Sequence, residues 1–210
     1  IVWIFASIGI PTLLLSIEHS AAYILAALLF LVFSPVSVPG MYCVANRVAR
    51  GKTFHFSDFI AGIKEYWWRS YLWFLANILV VLVIWADLRL YPAWLQGILG
   101  VIVGGFFLAV FFLWAAMQVY FWPMLIQQEE PKLLRAWRNS ALLILANPFY
   151  ALIIILFAII LLAVSIGLGL IPLVFVGLAA QAVLGNNAVL TLLVKFGKIE
   201  EVRPKPIVRG

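Results

Sequence analysis

The side chains that could do chemistry in this sequence are few, and their spacing does not assemble a reaction. His19 and His55 lie far apart and are not joined by cysteines or carboxylates at metal-ligand spacing, so no metal site is expected. Cys43 is the single cysteine, with no histidine beside it in sequence to activate it, and reads as a small packing residue. There is no phosphate-binding loop, no zinc-protease helix, no nucleophile elbow and no dinucleotide fingerprint. No catalytic residue and no cofactor are therefore expected, and the chain reads as non-enzymatic.

The remaining candidates are neutral amides in apolar surroundings: Asn77, Gln118, Gln181, Asn186 and Asn187. One reading is a polar cluster lining a pathway. The other is hydrogen bonding between helices, because a lone amide in hydrocarbon is costly. Asn186 and Asn187 are adjacent, so on a helix they project about 100° apart and cannot both face one partner. No Asp, Glu, Lys or His falls in the middle of an apolar stretch. Such a residue is the usual marker of a proton or ion path, so its absence argues against a pump. Gly100 and Gly104, flanked by Gly97 and Gly105, form a small-xxx-small step expected to bring two helices close.

The elements that must hold these groups are read from composition. The chain has 210 residues, 66% hydrophobic and 10% charged, with mean hydropathy +1.15. Soluble domains are about 45–50% apolar and about 25% charged. The excess requires lipid as solvent for most side chains, and predicts an all-α, polytopic transmembrane helix bundle filling residues 1–210 as a single domain. Six spans are expected, at about 1–17, 21–39, 66–86, 93–126, 148–170 and 171–194, with a basic tail at 195–210; five is the competing count. The first stretch reads as a span, since no basic n-region precedes it and no convincing cleavage site follows. Pro35 and Pro39 are expected to kink or end the second span.

Charge sets the orientation. Of fourteen Lys and Arg residues, all but Arg89 fall in connections on one side or in the tail. The positive-inside rule makes that side cytoplasmic, with both termini there when the spans number six. The net charge of +6 is thereby explained without nucleic acid. The expected partner is the lipid bilayer. Tyr66, Trp67, Trp68, Tyr71 and Trp73, with Tyr120 and Trp122, are expected to mark one membrane interface, and Trp85, Tyr91 and Trp94 the other.

Two amphipathic cytoplasmic helices are expected. In Ser57–Trp67, Phe56, Phe59, Ile60, Ile63 and Trp67 recur at helical spacing, opposite Asp58, Lys64 and Glu65. In Pro131–Ala141, opened by Glu130 and Pro131, the apolar stripe is Leu133, Leu134, Trp137 and Ala141. Lys132, Arg135 and Arg138, with Lys64 and Arg69, form the candidate interaction surface on an anionic leaflet or a partner. A weak internal similarity links Trp68–Asn77 to Trp137–Asn147, as a duplicated helix hairpin would.

From Pro39 to Asn147 the order of motifs carries a family resemblance. Gly40-Met41-Tyr42 leads into Asn46-Arg47 and Ala49-Arg50-Gly51-Lys52. Tyr66-Trp67-Trp68-Arg69-Ser70, Phe121-Trp122-Pro123-Met124-Leu125, Gln128-Glu129-Glu130-Pro131 and Arg135-Ala136-Trp137-Arg138-Asn139 follow. This order resembles the YesL-like family of uncharacterised bacterial polytopic membrane proteins. The resemblance implies a small protein of the bacterial inner membrane, associated with carbohydrate uptake, and supplies no catalytic residues. The expected role is a non-enzymatic accessory protein, in contact with a membrane transporter complex or the leaflet. The alternative is a transporter or ABC permease-like subunit, for which Glu130–Asn147 would be the coupling segment. Against that, the usual Glu-Ala-Ala…Gly pattern is missing.

Overall fold

The computed structural model describes residues 20–95, 97–167 and 177–200, and the regular structure in them is helical. Six helices follow one another: α1 (Ser20–Ala49), α2 (Phe56–Trp94), α3 (Ile98–Ile126), α4 (Leu133–Ala146), α5 (Pro148–Gly167) and α6 (Leu178–Lys195). The expected first span and the tail from 201 lie outside the described residues, as does the junction of the expected fifth and sixth spans.

Among the described residues, three helical segments are long and apolar enough to cross a membrane: Phe56–Tyr91, Ile98–Ile126 and Leu178–Lys195. Leu133–Ala146 and Pro148–Leu161 pass the same test only as a pair, bent by 110°. The structure thus holds three to four candidate spans, and lipid contact follows from them.

Several helix bounds depart from the expected ones for physical reasons. α1 does not stop at Pro35 or Pro39 but runs to Ala49 with both prolines inside it. Hydroxyls support the backbone there: Ser37 Oγ donates to the Ser34 carbonyl at 2.8 Å, and Tyr71 Oη to the Val32 carbonyl at 2.6 Å. The carbonyls that lose their i+4 donor to the prolines are those of Leu31 and Pro35, each one residue from these acceptors. The expected amphipathic helix at Ser57–Trp67 is not separate. It is the first part of α2, whose 39 residues run without a break for about 58 Å, roughly twice the thickness of a hydrocarbon core. Its packed side is also rotated from the expected stripe: Gly62, Tyr66 and Ser70 are buried, whereas Phe56 and Trp67 are exposed. α3 begins at Ile98, after Gly97 turns the chain with φ 70°.

Of the expected glycines, Gly100 meets backbone, where a Cβ would run into the Leu95 carbonyl oxygen just before α3; the close approaches between helices lie at other glycines. A Cβ on Gly40 would lie 2.8 Å from the Phe59 carbonyl oxygen, and one on Gly62 would lie 2.8 Å from Cys43 Sγ. These are the crossing points of α1 and α2, and they give Cys43 its packing role. A Cβ on Gly185 would lie 2.5 Å from the Val119 carbonyl oxygen, where α6 meets α3. Gly104 and Gly105 have open space around them, so the small-residue step at Gly100 and Gly104 joins no pair of described helices.

α3 touches each of the other five helices. Its inner half is the core: Tyr120, Phe121 and Leu125 are fully enclosed and Trp122 nearly so. One side packs on Leu143, Ile144, Ala151 and Val189 from α4, α5 and α6, the other on Tyr66 and Ala136. Tyr66, Tyr120 and Trp122 are therefore core residues, not members of an interfacial belt.

Candidate functional site

The ends of α1, α3 and α6 and the starts of α2 and α4 bring most of the basic residues to one end of the bundle. Four of these cations tie elements together. Arg47 pairs with Asp58 at 3.0 Å and donates to the Thr53 carbonyl at 3.1 Å. Asp58 in turn accepts from the His55 backbone N–H at 2.8 Å, which fixes the start of α2. Arg50 donates through Nε to Asn46 Oδ1 at 3.0 Å and through Nη2 to Gln127 Oε1. Arg69 donates to the carbonyls of Pro131 at 3.0 Å and Glu65 at 3.1 Å. Lys195 Nζ reaches Asn147 Oδ1 at 2.7 Å.

The five cations expected to form an interaction surface thus divide. Arg69 is a bracket between α2 and the segment before α4. Lys132 faces Glu130 at 3.2 Å, an exposed pair of little energetic weight. Lys64, Arg135 and Arg138 are exposed, and among the described residues no ion pair occupies them.

Arg135 and Arg138 stand on α4, which starts at Leu133 with Lys132 as its N-cap, two residues after the expected Pro131. Gln128 Oε1 accepts the Lys132 backbone N–H at 3.0 Å and holds that entry. Ala136, Ser140, Leu143 and Ile144 face inward. The outer face alternates Leu134, Arg135, Arg138, Leu142 and Leu145, with Leu134 at 79% exposure rather than in the expected apolar stripe. The chain then turns through 110°. Asn147 sits at the corner with φ −142° and ψ 66°. The ring of Pro148 disfavours a helical conformation in the residue before it. The chain runs straight through Asn77 in α2, so the two similar segments have different geometries.

The five amides do not share one site. Asn77 and Gln118 build a reciprocal clasp between α2 and α3. Trp114 Nε1 donates to Asn77 Oδ1 at 3.1 Å, and Trp73 Nε1 donates to Gln118 Oε1 at 3.0 Å. Each amide nitrogen returns to the carbonyl four residues back, Trp73 at 2.8 Å and Trp114 at 3.1 Å. A Trp-xxx-amide spacing on each helix is the sequence signal for this clasp. Asn186 and Asn46, both buried, join α6 to α1. Asn46 Nδ2 donates to Asn186 Oδ1 at 2.9 Å, and Asn186 Nδ2 to the carbonyls of Ala182 at 2.8 Å and Tyr42 at 3.3 Å. Through Asn46 and Arg50 this chain of bonds reaches Gln127 and the basic end. Asn187 points elsewhere, donating to the Val183 carbonyl of its own helix at 3.0 Å, and Gln181 donates to the Ala158 carbonyl of α5 at 3.2 Å.

A cleft of about 760 Å³ opens between α1, α3, α5 and α6, with Phe56, Phe59 and Trp73 of α2 also on its wall. Gln118 and Gln181 stand on its wall, but Asn77 and Asn186 do not. The wall is otherwise mostly aliphatic and aromatic, Trp122 among it. Among the described residues no group of three or more His, Cys, Asp or Glu side chains could hold a metal. Comparison with protein-family models, with curated proteins and with solved structures gave no match.

Proposed function

We propose that this chain is a non-enzymatic accessory protein of the bacterial inner membrane, with α1, α2, α3, α5 and α6 as spans and α4 lying across their cytoplasmic end. Residues 1–17 would supply a sixth span and place both termini inside. The observation that carries the reading is the 110° corner at Asn147. With α5 along the membrane normal, α4 runs near the membrane plane. Its outer face then sets leucines against the acyl boundary and extends Arg135 and Arg138 toward phosphate groups or an acidic partner. Association with carbohydrate uptake and with a transporter complex rests on the resemblance to the YesL-like family.

A permease-like role is the weaker reading, although α4 occupies the place of a coupling helix. Transport of a polar solute needs polar groups facing a passage. Asn77 and Asn186 instead bond between helices, and the cleft is apolar. Uptake of labelled sugar into proteoliposomes, with a candidate ATPase, should stay at background.

Reversing Arg135 and Arg138 is the direct test. In the double variant Arg135→Glu and Arg138→Glu, two contacts worth about 1 kcal/mol each are lost at an anionic surface. That is roughly a 30-fold loss in affinity. Recovery of the partner from native membranes should fall accordingly, and more steeply at low salt. Unchanged pull-down together with unchanged membrane distribution would remove the proposal.

A further inference from the structure

We propose that the cleft between α1, α3, α5 and α6 holds one acyl chain of an anionic phospholipid, with the headgroup over Lys52 and Arg47. This rests on the membrane reading above. The cleft lies within the roughly 300–1,000 Å³ range of small-molecule sites. It follows α1 from Ser34 to Val44, about 15 Å of helix, and so has the form of a channel for a chain.

Three of its polar side chains are already engaged, while the Trp122 indole N–H on the same wall has no partner among the described residues. Ser37 donates to the Ser34 carbonyl at 2.8 Å, and Gln181 to that of Ala158 at 3.2 Å. Gln118 is held at both ends, by the Trp114 carbonyl and the Trp73 indole. The wall is nonetheless dominated by hydrocarbon, so a sugar or an ion would find few partners on it, and an apolar cavity is a poor place for water. Hydrocarbon fits it, and the exposed Phe112 and Ile159 flank a lateral way in. At its other end stand Phe54 and His55. In that loop Lys52 is exposed, and Arg47 in the last turn of α1 is half-exposed and paired with Asp58. The local excess of positive charge selects an anionic headgroup.

The full chain, reconstituted in phosphatidylcholine vesicles, would be irradiated with a phosphatidylglycerol carrying a diazirine in its acyl chain. Adducts would then be mapped by mass spectrometry. Saturable adducts are expected on Met41–Val44 and on the segments holding Ala115 and Ile155. Unlabelled phosphatidylglycerol should remove them better than phosphatidylcholine does, and oleate should not remove them. Ala115→Trp and Ile159→Trp each fill the cleft from an exposed position. Either should abolish the saturable adducts and leave unsaturable labelling at Val101 and Leu152 intact. Lys52→Glu should erase the preference for phosphatidylglycerol. Unsaturable labelling alone, equal in the cleft and at Val101 and Leu152, would overturn the proposal and leave the membrane reading standing, as would competition by oleate. Absence of labelling at Val101 and Leu152 would overturn both.

Discussion

Trp122→Ala should destabilise the bundle by about 3–5 kcal/mol, the range for deleting a large enclosed aromatic side chain. Trp122 is 1% exposed and is the ring on which three helices meet. Tyr42 of α1 stacks on it at 6.3 Å, Tyr66 and Trp73 of α2 meet it edge-on at 6.4 and 5.5 Å, and Phe121 flanks it at 5.6 Å. In lipid the apolar surface gains little from leaving solvent, so these contacts act chiefly through dispersion and shape. A void at this point cannot be closed without moving α1 and α2 together. Cys43 provides a built-in reporter, because it is half-buried against Gly62 next to Tyr42. The expected result is a large fall in the unfolding midpoint in micelles and faster maleimide labelling of Cys43. Trp122→Phe should be milder, since it keeps a ring there and removes an indole N–H that has no partner among the described residues. Equal midpoints for Trp122→Ala and the parent would refute the role given to this ring.

Asn186→Leu is the second large effect. It keeps the volume but leaves Asn46 Nδ2 enclosed without its acceptor, for a cost of about 1–3 kcal/mol. Hydrogen bonds between membrane helices average about 0.6 kcal/mol in double-mutant cycles, with a maximum near 1.7. The single variant should therefore lose more than the pair contributes. In the cycle, Asn46→Leu combined with Asn186→Leu should recover part of the loss, because neither amide is then orphaned. Some loss should persist, since Arg50 also bonds Asn46 Oδ1. Strict additivity, read from unfolding midpoints, would mean the two amides do not act as a pair.

What sequence reveals here follows from what lipid conceals. In water, an apolar stripe marks the buried face. In hydrocarbon, both faces of a span are apolar, so α3 shows little contrast between Phe112, which is exposed, and Phe121, which is enclosed. That is why Trp122 reads as an interfacial aromatic from composition yet sits in the core. The same blindness affects glycine. Gly104 and Gly40 look equivalent in sequence, and only the path of α2 decides that Gly40 meets Phe59. Polar residues are legible because they are rare. The adjacency of Asn186 and Asn187 predicted two directions, and they do face different partners. α4 was legible as amphipathic, but its exposed Leu134 was not. A leucine that follows Leu133 and precedes Arg135 looks like a packed residue unless the helix faces an interface. Asn46 is not legible as a core amide because it stands beside Arg47 and Arg50, past the apolar stretch, where an amide reads as solvated.

A bundle that crosses a bilayer with its basic end inside, as proposed, presents Lys52 and Arg89 on opposite sides. Single cysteines at Lys52→Cys and Arg89→Cys, in a Cys43→Ser background, would be exposed to an impermeant maleimide in sealed right-side-out and inverted vesicles. Position 52 should react only in inverted vesicles and position 89 only in right-side-out ones. Reaction of both positions in the same vesicle orientation would contradict the proposal.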